Sequence, residues 1–347
     1  MLFPMLPELD SRKMALLLAF AIALVALFAY GDFFGIELME FDAIPKLVSH
    51  SQASADEFFS ILTGPEQNYL PISSNYRPFG SLILWLMFMF TGLNFTAFHA
   101  LNFALHAINS VLVFFLAKRL IKGNMFPFLA ALVFALHPIH LNTVLFVSRM
   151  HELLACFALL SSLLLLMKFL EKRKQHYFLA SILFCAIGIF SKEAGSLIPF
   201  VLFACCLIFL KEKNIRSLTL KSLRICFPFF ALVAAYFALM LFSLGSLAGY
   251  AYSLDYTKSQ VVFSFLQFLF CPINFLSASI PSQFNAFLSN PLANTLFLLF
   301  FIGLSIFSLK FFSGKEQDRQ VLFLLCWFLT FIFAFTALNA LAVWYSY

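Results

Sequence analysis

The amino-acid sequence predicts an all-α, polytopic membrane helical bundle. Three observations lead there. Hydrophobic residues make up 63% of the 347 positions and Asp, Glu, Lys and Arg only 11%, against roughly a quarter charged in an ordinary soluble domain. Fifty-one residues are phenylalanine, more apolar surface than a soluble interior encloses, so the excess faces lipid. The apolar residues also fall in long runs divided by short basic clusters, as membrane spans and their cytoplasmic turns do. These figures exclude disordered, collagenous and disulfide-scaffold classes. The net charge of +6 is confined to the turns, so no nucleic acid is expected as a partner.

Apolar runs at 14–31, 93–117, 125–141, 144–167, 177–191, 195–210, 225–247, 259–277, 292–312 and 321–343 are read as candidate spans. The first follows Arg12-Lys13, as a signal peptide would. It continues through Tyr30 without a small-residue cleavage site, so it is read as an uncleaved helix. The run 79–91 is too short for a span and reads as an interfacial helix or half of a broken one.

Orientation follows from the loops. Lys118, Arg119 and Lys122 give one turn +3. Lys168, Lys172, Arg173 and Lys174 against Glu171 give +3, and Lys211, Lys213, Arg216, Lys221 and Arg224 against Glu212 give +4. The positive-inside rule puts all three, and the N-terminus, in the cytoplasm. Loop 310–319 is mildly basic too, which favours a re-entrant 259–277 broken at Pro272. The chain reads as a single module over 1–347 without a C-terminal repeat domain. Its first extracytoplasmic loop, 31–77, holds Asp32, Glu37, Glu40, Asp42, Asp56, Glu57 and Glu66 against Lys46 and Arg77. Phe58-Phe59 and Ile61-Leu62 in that loop suit short amphipathic helices on the membrane surface. The seven cysteines form no CxxC pair and are read as inert core residues.

In so apolar a chain the polar residues near the membrane are the functional candidates. Four sets stand out. Glu40-Phe41-Asp42 places two acids at a low-dielectric boundary, where a carboxylate can act as general base. A solvated acidic loop is the other reading. Tyr76-Arg77-Pro78 offers a planar guanidinium suited to phosphate, or an arginine snorkelling to headgroups. His99, Asn102 and His106 share one helix face, followed by His137-Pro138-Ile139-His140, Arg149, His151 and Glu152. Interhelical hydrogen bonding accounts equally well for that stripe. No metal is expected, because neither HExxH nor Cys/His ligand spacing occurs. Ser191-Lys192-Glu193 sets two charges between apolar runs, either as a mutual ion pair or as a ligand contact. P-loop, GxSxG and GxGxxG motifs are absent from the sequence.

The order Tyr76-Arg77-Pro78-Phe79, Gly92-Leu93-Asn94, Phe98-His99 with Asn102 and His106, His137-Pro138-Ile139-His140, Glu152-Leu153-Leu154 and Ser191-Lys192-Glu193 resembles the polytopic GT-C glycosyltransferases. The likeness is strongest to the tetratricopeptide-containing transmembrane O-mannosyltransferases and their prokaryotic relatives. It implies a GT-C-like bundle with an acidic motif in the first outer loop. It also implies a sugar donor on polyprenyl or dolichyl phosphate, a protein or glycan hydroxyl acceptor, and transfer of a mannose-like hexose with inversion. On that resemblance Asp42 or Glu40 accepts the acceptor's proton. Arg77, Lys192 and Arg149 face the departing phosphate, and His99, His106, His137, His140, Glu152, Glu193 and Tyr76 complete the donor site. No cofactor is implied, since the lipid-linked sugar is a substrate.

The sequence departs from the family pattern in places. Glu40-Phe41-Asp42 stands where the family has tandem acids, Asn142 replaces an acid after the HPxH motif, and Arg149 lies three residues before Glu152 rather than two. A lipid-linked sugar transporter or flippase and a non-catalytic relative are the alternative readings. The expected location is multi-pass in a cell membrane if prokaryotic, or the ER membrane if eukaryotic, with the site on the extracytoplasmic face.

Overall fold

A computed structural model describes residues 11–31, 58–59, 62–64, 75–137, 140–210, 212 and 214–244. In chain order the helices are α1 (Ser11–Ala29), α2 (Pro78–Thr91), α3 (Phe95–Leu120), α4 (Met125–Leu136), α5 (Leu141–Leu145), α6 (Met150–Lys172), α7 (Gln175–Ser191), α8 (Ile198–Phe209) and α9 (Ile215–Leu244). Single 3-10 segments, Val147–Arg149 and Glu193–Leu197, lead into α6 and α8. The expected spans 259–277, 292–312 and 321–343, loop 310–319 and most of loop 31–77 lie outside the described residues.

The described residues form an all-α membrane bundle. Three stretches, Phe95–Leu120, Val147–Lys172 and Ile215–Leu244, are long and apolar enough to cross a membrane. Phenylalanines at 20, 28, 90, 126, 227 and 242 stand exposed on the outer surface, where lipid replaces water as solvent. The core is centred on the pairing of α6 with α7, where Leu163, Leu166, Cys185 and Ile189 are sealed from solvent together with Val201 and Phe229 of α8 and α9. Ser162 and Ser181 bind each other reciprocally there, each hydroxyl donating to the other's carbonyl at 2.8 Å. Small hydroxyls let the two backbones approach while satisfying one another.

The ends of the bundle differ in charge. Arg119 at the end of α3 pairs with Glu171 at the end of α6, so the turns 118–122 and 168–174 sit together. Helix α7 leaves that end, α8 returns to it and α9 leaves it again, so Arg216, Lys221 and Arg224 in the first turns of α9 join the same basic end. The three basic clusters therefore share one side of the bundle, as their charge predicts.

Three boundaries differ from those read in the sequence. Helix α4 stops at Leu136 rather than 141, because His137 precedes Pro138 and takes an extended backbone (φ −65°, ψ 125°), the conformation a following proline imposes. The chain then reaches α6 through α5 and a 3-10 turn, with Phe146 extended between them, so α6 starts at Met150 rather than 144. Helix α9 starts at Ile215, well before 225. Asn214 caps it, its side-chain oxygen accepting from the Arg216 amide at 2.9 Å, and Pro228 sits within it, as neighbouring groups permit in membrane helices.

The short run 79–91 becomes α2, and it does not cross. Arg77 at its start reaches Glu193, just beyond α7. At its other end Gly92-Leu93-Asn94 lead straight into α3, with Gly92 in the left-handed region (φ 58°) that glycine alone adopts without cost. Both ends of α2 thus lie opposite the basic turns.

Candidate active site

At that opposite end the charged residues converge. Helix α7 ends at Ser191, and Lys192 takes an extended backbone (φ −155°, ψ 144°). Successive side chains on extended backbone point to opposite sides, so Lys192 and Glu193 make separate ion pairs rather than one with each other. Lys192 Nζ donates to Glu152 Oε1 on the first turn of α6 at 2.6 Å. Glu193 accepts three bonds from Arg77, Nε to Oε1 at 2.9 Å and to Oε2 at 3.2 Å, and Nη2 to Oε2 at 3.0 Å. Arg149, one turn before Glu152, adds a third cation at 3.5 Å from the same Oε1.

The surrounding elements fix this geometry. The Gly195 amide donates to the Lys192 carbonyl at 2.8 Å, and a Cβ at Gly195 would stand 2.1 Å from the Gly188 oxygen. A Cβ at Gly80 would meet the His151 ring at 1.8 Å, so only glycine lets α2 lie against the start of α6. Tyr76 is anchored twice. Its hydroxyl donates to the Leu62 carbonyl at 2.9 Å, and its own carbonyl accepts from the Tyr236 hydroxyl of α9 at 3.0 Å. Burial pushes the Tyr76 phenol above its ordinary pKa, which keeps it neutral and a donor.

Arg77 and Lys192 are only 7% and 8% exposed. Buried charges are tolerated only when paired, and two carboxylates here hold three cations. Glu152 Oε2 is buried and makes no hydrogen bond. This is an array of preset donors, suited to an anion that develops charge as it leaves.

The histidine stripe makes a second set of contacts. Asn102 Nδ2 donates to the Val144 carbonyl at 3.3 Å and to that of Phe146 at 2.9 Å. His106 Nε2 lies 3.0 Å from the Ala135 carbonyl, which can only accept, so Nε2 carries the proton. These carbonyls lie at the ends of α4 and α5, where no intrahelical partner remains. The stripe thus closes the broken segment between α4 and α6, which is the interhelical reading of those residues. His106, His140 and Phe134 pack ring on ring, with His106–His140 centroids 5.4 Å apart and Phe134–His140 4.6 Å. His137 borders His140 at 6.3 Å, and His99 lies buried against Phe103. Among the described residues no group of three or more His, Cys, Asp or Glu is disposed to hold a metal ion.

Residues 75–244 match the family model described as dolichyl-phosphate-mannose-protein mannosyltransferase. That match agrees with the likeness its motifs implied. The human protein O-mannosyl-transferase TMTC1 is 35% identical over 91 residues, and its mouse counterpart 34% over 91 residues. Each match covers 26% of this chain and 10% of the relative's length. The family match encloses every described candidate, from Tyr76 to Glu193.

Of the residues singled out in the sequence, Tyr76, Arg77, Arg149, Glu152, Lys192 and Glu193 come together, while His106, His137 and His140 line the broken segment and His99 lies against Phe103. Asp42 and Glu40 lie outside the described residues. Sequence reasoning missed Gly80, Gly195, Asn109 and Tyr236. Asn109 Nδ2 donates to the Leu153 carbonyl at 3.0 Å, and it extends the stripe of Asn102 and His106 by helical spacing, a signal that was available. Tyr236 was legible only as a polar aromatic in an otherwise apolar run.

Proposed function

We propose that this chain is a membrane mannosyltransferase. It moves mannose from a polyprenyl-phosphate donor to a serine or threonine hydroxyl of a protein, on the extracytoplasmic face. The observation that carries the reading is the convergence of Arg77, Arg149 and Lys192 around two buried carboxylates, wholly within the family match at residues 75–244. The basic turns at the far end of the bundle support a cytoplasmic placement for that end, which leaves the cluster outside.

In this reading the donor's lipid tail lies among the phenylalanine-rich helices and its phosphate meets the three cations. The acceptor oxygen attacks the anomeric carbon as the bond from that carbon to the phosphate oxygen breaks, inverting the centre in a single displacement. The hydroxyl proton passes to a carboxylate, Asp42 or Glu40. The lipid phosphate leaves with the bonding pair, and Arg77, Lys192 and Arg149 stabilise that charge. Glu152 and Glu193 hold the cations in place beforehand, so no reorganisation is needed when charge develops.

The experiment is to incubate the purified chain with labelled dolichyl- or undecaprenyl-phosphate mannose and a serine/threonine-rich peptide. Labelled glycopeptide, lost in Arg77→Ala and Lys192→Ala, is the expected result. Donor translocation across vesicles without any glycopeptide would instead identify a flippase.

A further inference from the structure

The first turns of α9 carry a second basic site at the opposite end of the bundle from the cluster described above. Asn214, Arg216, Ser217, Leu220, Lys221 and Arg224 line a shallow cavity of about 330 Å³. Arg216, Leu220 and Arg224 fall four residues apart and share one helix face. Glu212 is engaged by Lys221, and Ser217 donates to it at 3.3 Å, so the acid nearest the cavity is already neutralised. No ion pair of the Arg216 or Arg224 guanidinium is present among the described residues, and both are exposed. Around them Ile215, Leu220, Leu223 and Phe227 expose between 46% and 76% of their surface, so the cations sit among side chains that seek hydrocarbon.

We propose that this cavity binds the headgroup phosphate of an anionic phospholipid in the cytoplasmic leaflet. Two arginines match a phosphate in charge and in fork geometry, and the exposed apolar side chains beside them match the acyl chains below it. A soluble anion would need only the cations, whereas a lipid uses both features. Helix α9 has reason to need the tie. Its most apolar window is only 22% buried, against 56% and 61% for the other two long spans. Yet its Tyr236 holds the Tyr76 carbonyl beside Arg77. A headgroup clamped at the start of α9 fixes the helix that braces Tyr76, where packing among the described residues is sparse.

The test uses the full chain purified in detergent, with binding of phosphatidylglycerol and phosphatidylcholine followed by native mass spectrometry. Wild type is expected to prefer phosphatidylglycerol. Arg216→Gln/Arg224→Gln should weaken that lipid alone by about thirtyfold, each cation near an anionic lipid being worth about 1 kcal/mol. Phe227→Ser should weaken both lipids. Lys174→Gln removes a cation at the same end but outside the cavity, and should change neither. Equal binding of the two lipids by wild type overturns the proposal. So does undiminished phosphatidylglycerol binding by the double variant, or an equal loss in Lys174→Gln. Competition by inorganic phosphate as effective as the lipid would show a plain anion site instead, and would also overturn it.

Discussion

Arg77 and Glu193 stand 116 residues apart in the chain and are joined by a two-pronged ion pair that fastens the start of α2 to the turn after α7. Removing one partner of a buried pair strands the other's charge, at a cost of about 3–5 kcal/mol. Glu193→Gln is therefore expected to lower the melting temperature in detergent sharply. Arg77→Lys, which keeps the charge but loses the fork, should lose less. A melting temperature unchanged in Glu193→Gln would show that the pair contributes nothing to the fold.

Glu152 is the hub for Lys192 and Arg149, so its effects and theirs should not add. A double-mutant cycle between Glu152→Gln and Lys192→Met should give a coupling of about 0.5–3 kcal/mol in stability. Simple additivity would mean that the 2.6 Å contact is not maintained in solution.

Gly80→Ala should be destabilising, because its new methyl meets the His151 ring. The cause is specific to that side chain. Gly80→Ala/His151→Ala should therefore regain part of the lost melting temperature, whereas general disruption of α2 would not be rescued.

The two serines between α6 and α7 offer a test that separates a hydrogen bond from its desolvation. Ser162→Ala or Ser181→Ala alone removes one hydroxyl and part of the other's bonding, with an expected loss of about 0.5–2 kcal/mol. The double alanine variant should lose less than the sum of the two singles. Thermal unfolding of the four proteins in one detergent checks this.

Asp42→Asn is expected to abolish mannose transfer from a polyprenyl-phosphate donor while leaving donor binding and folding intact. If Asp42→Asn, Glu40→Gln and their combination all transfer at the wild-type rate, the proton goes elsewhere.

The membrane bundle and its charged candidates were legible in the sequence because lipid makes charge expensive. Every ionisable residue near a span had to be paired, exposed or at work, so Arg77, Glu152, Lys192 and Glu193 stood out against their surroundings. The partners were not legible. Lys192 and Glu193 read as a possible mutual pair, and only the extended backbone at Lys192 sends them to different helices. Nor could hydropathy find the start of α9. Its first turns are too polar for a span, and they are helical through the Asn214 cap and through side chains that favour helix. The break between α4 and α6 was half visible. Pro138 announced it, but the carbonyls that Asn102 and His106 satisfy depend on where the chain doubles back.

The divergence of Lys192 and Glu193 makes the short connection after α7 a length-locked element. Side chains there can be exchanged one at a time and their losses measured. Insertion or deletion of a single residue would exchange the two directions, turning a carboxylate toward Glu152 and an ammonium toward Arg77, so that like charges meet on both sides at once. Variation in this stretch should accordingly run through residue identity and never through residue number.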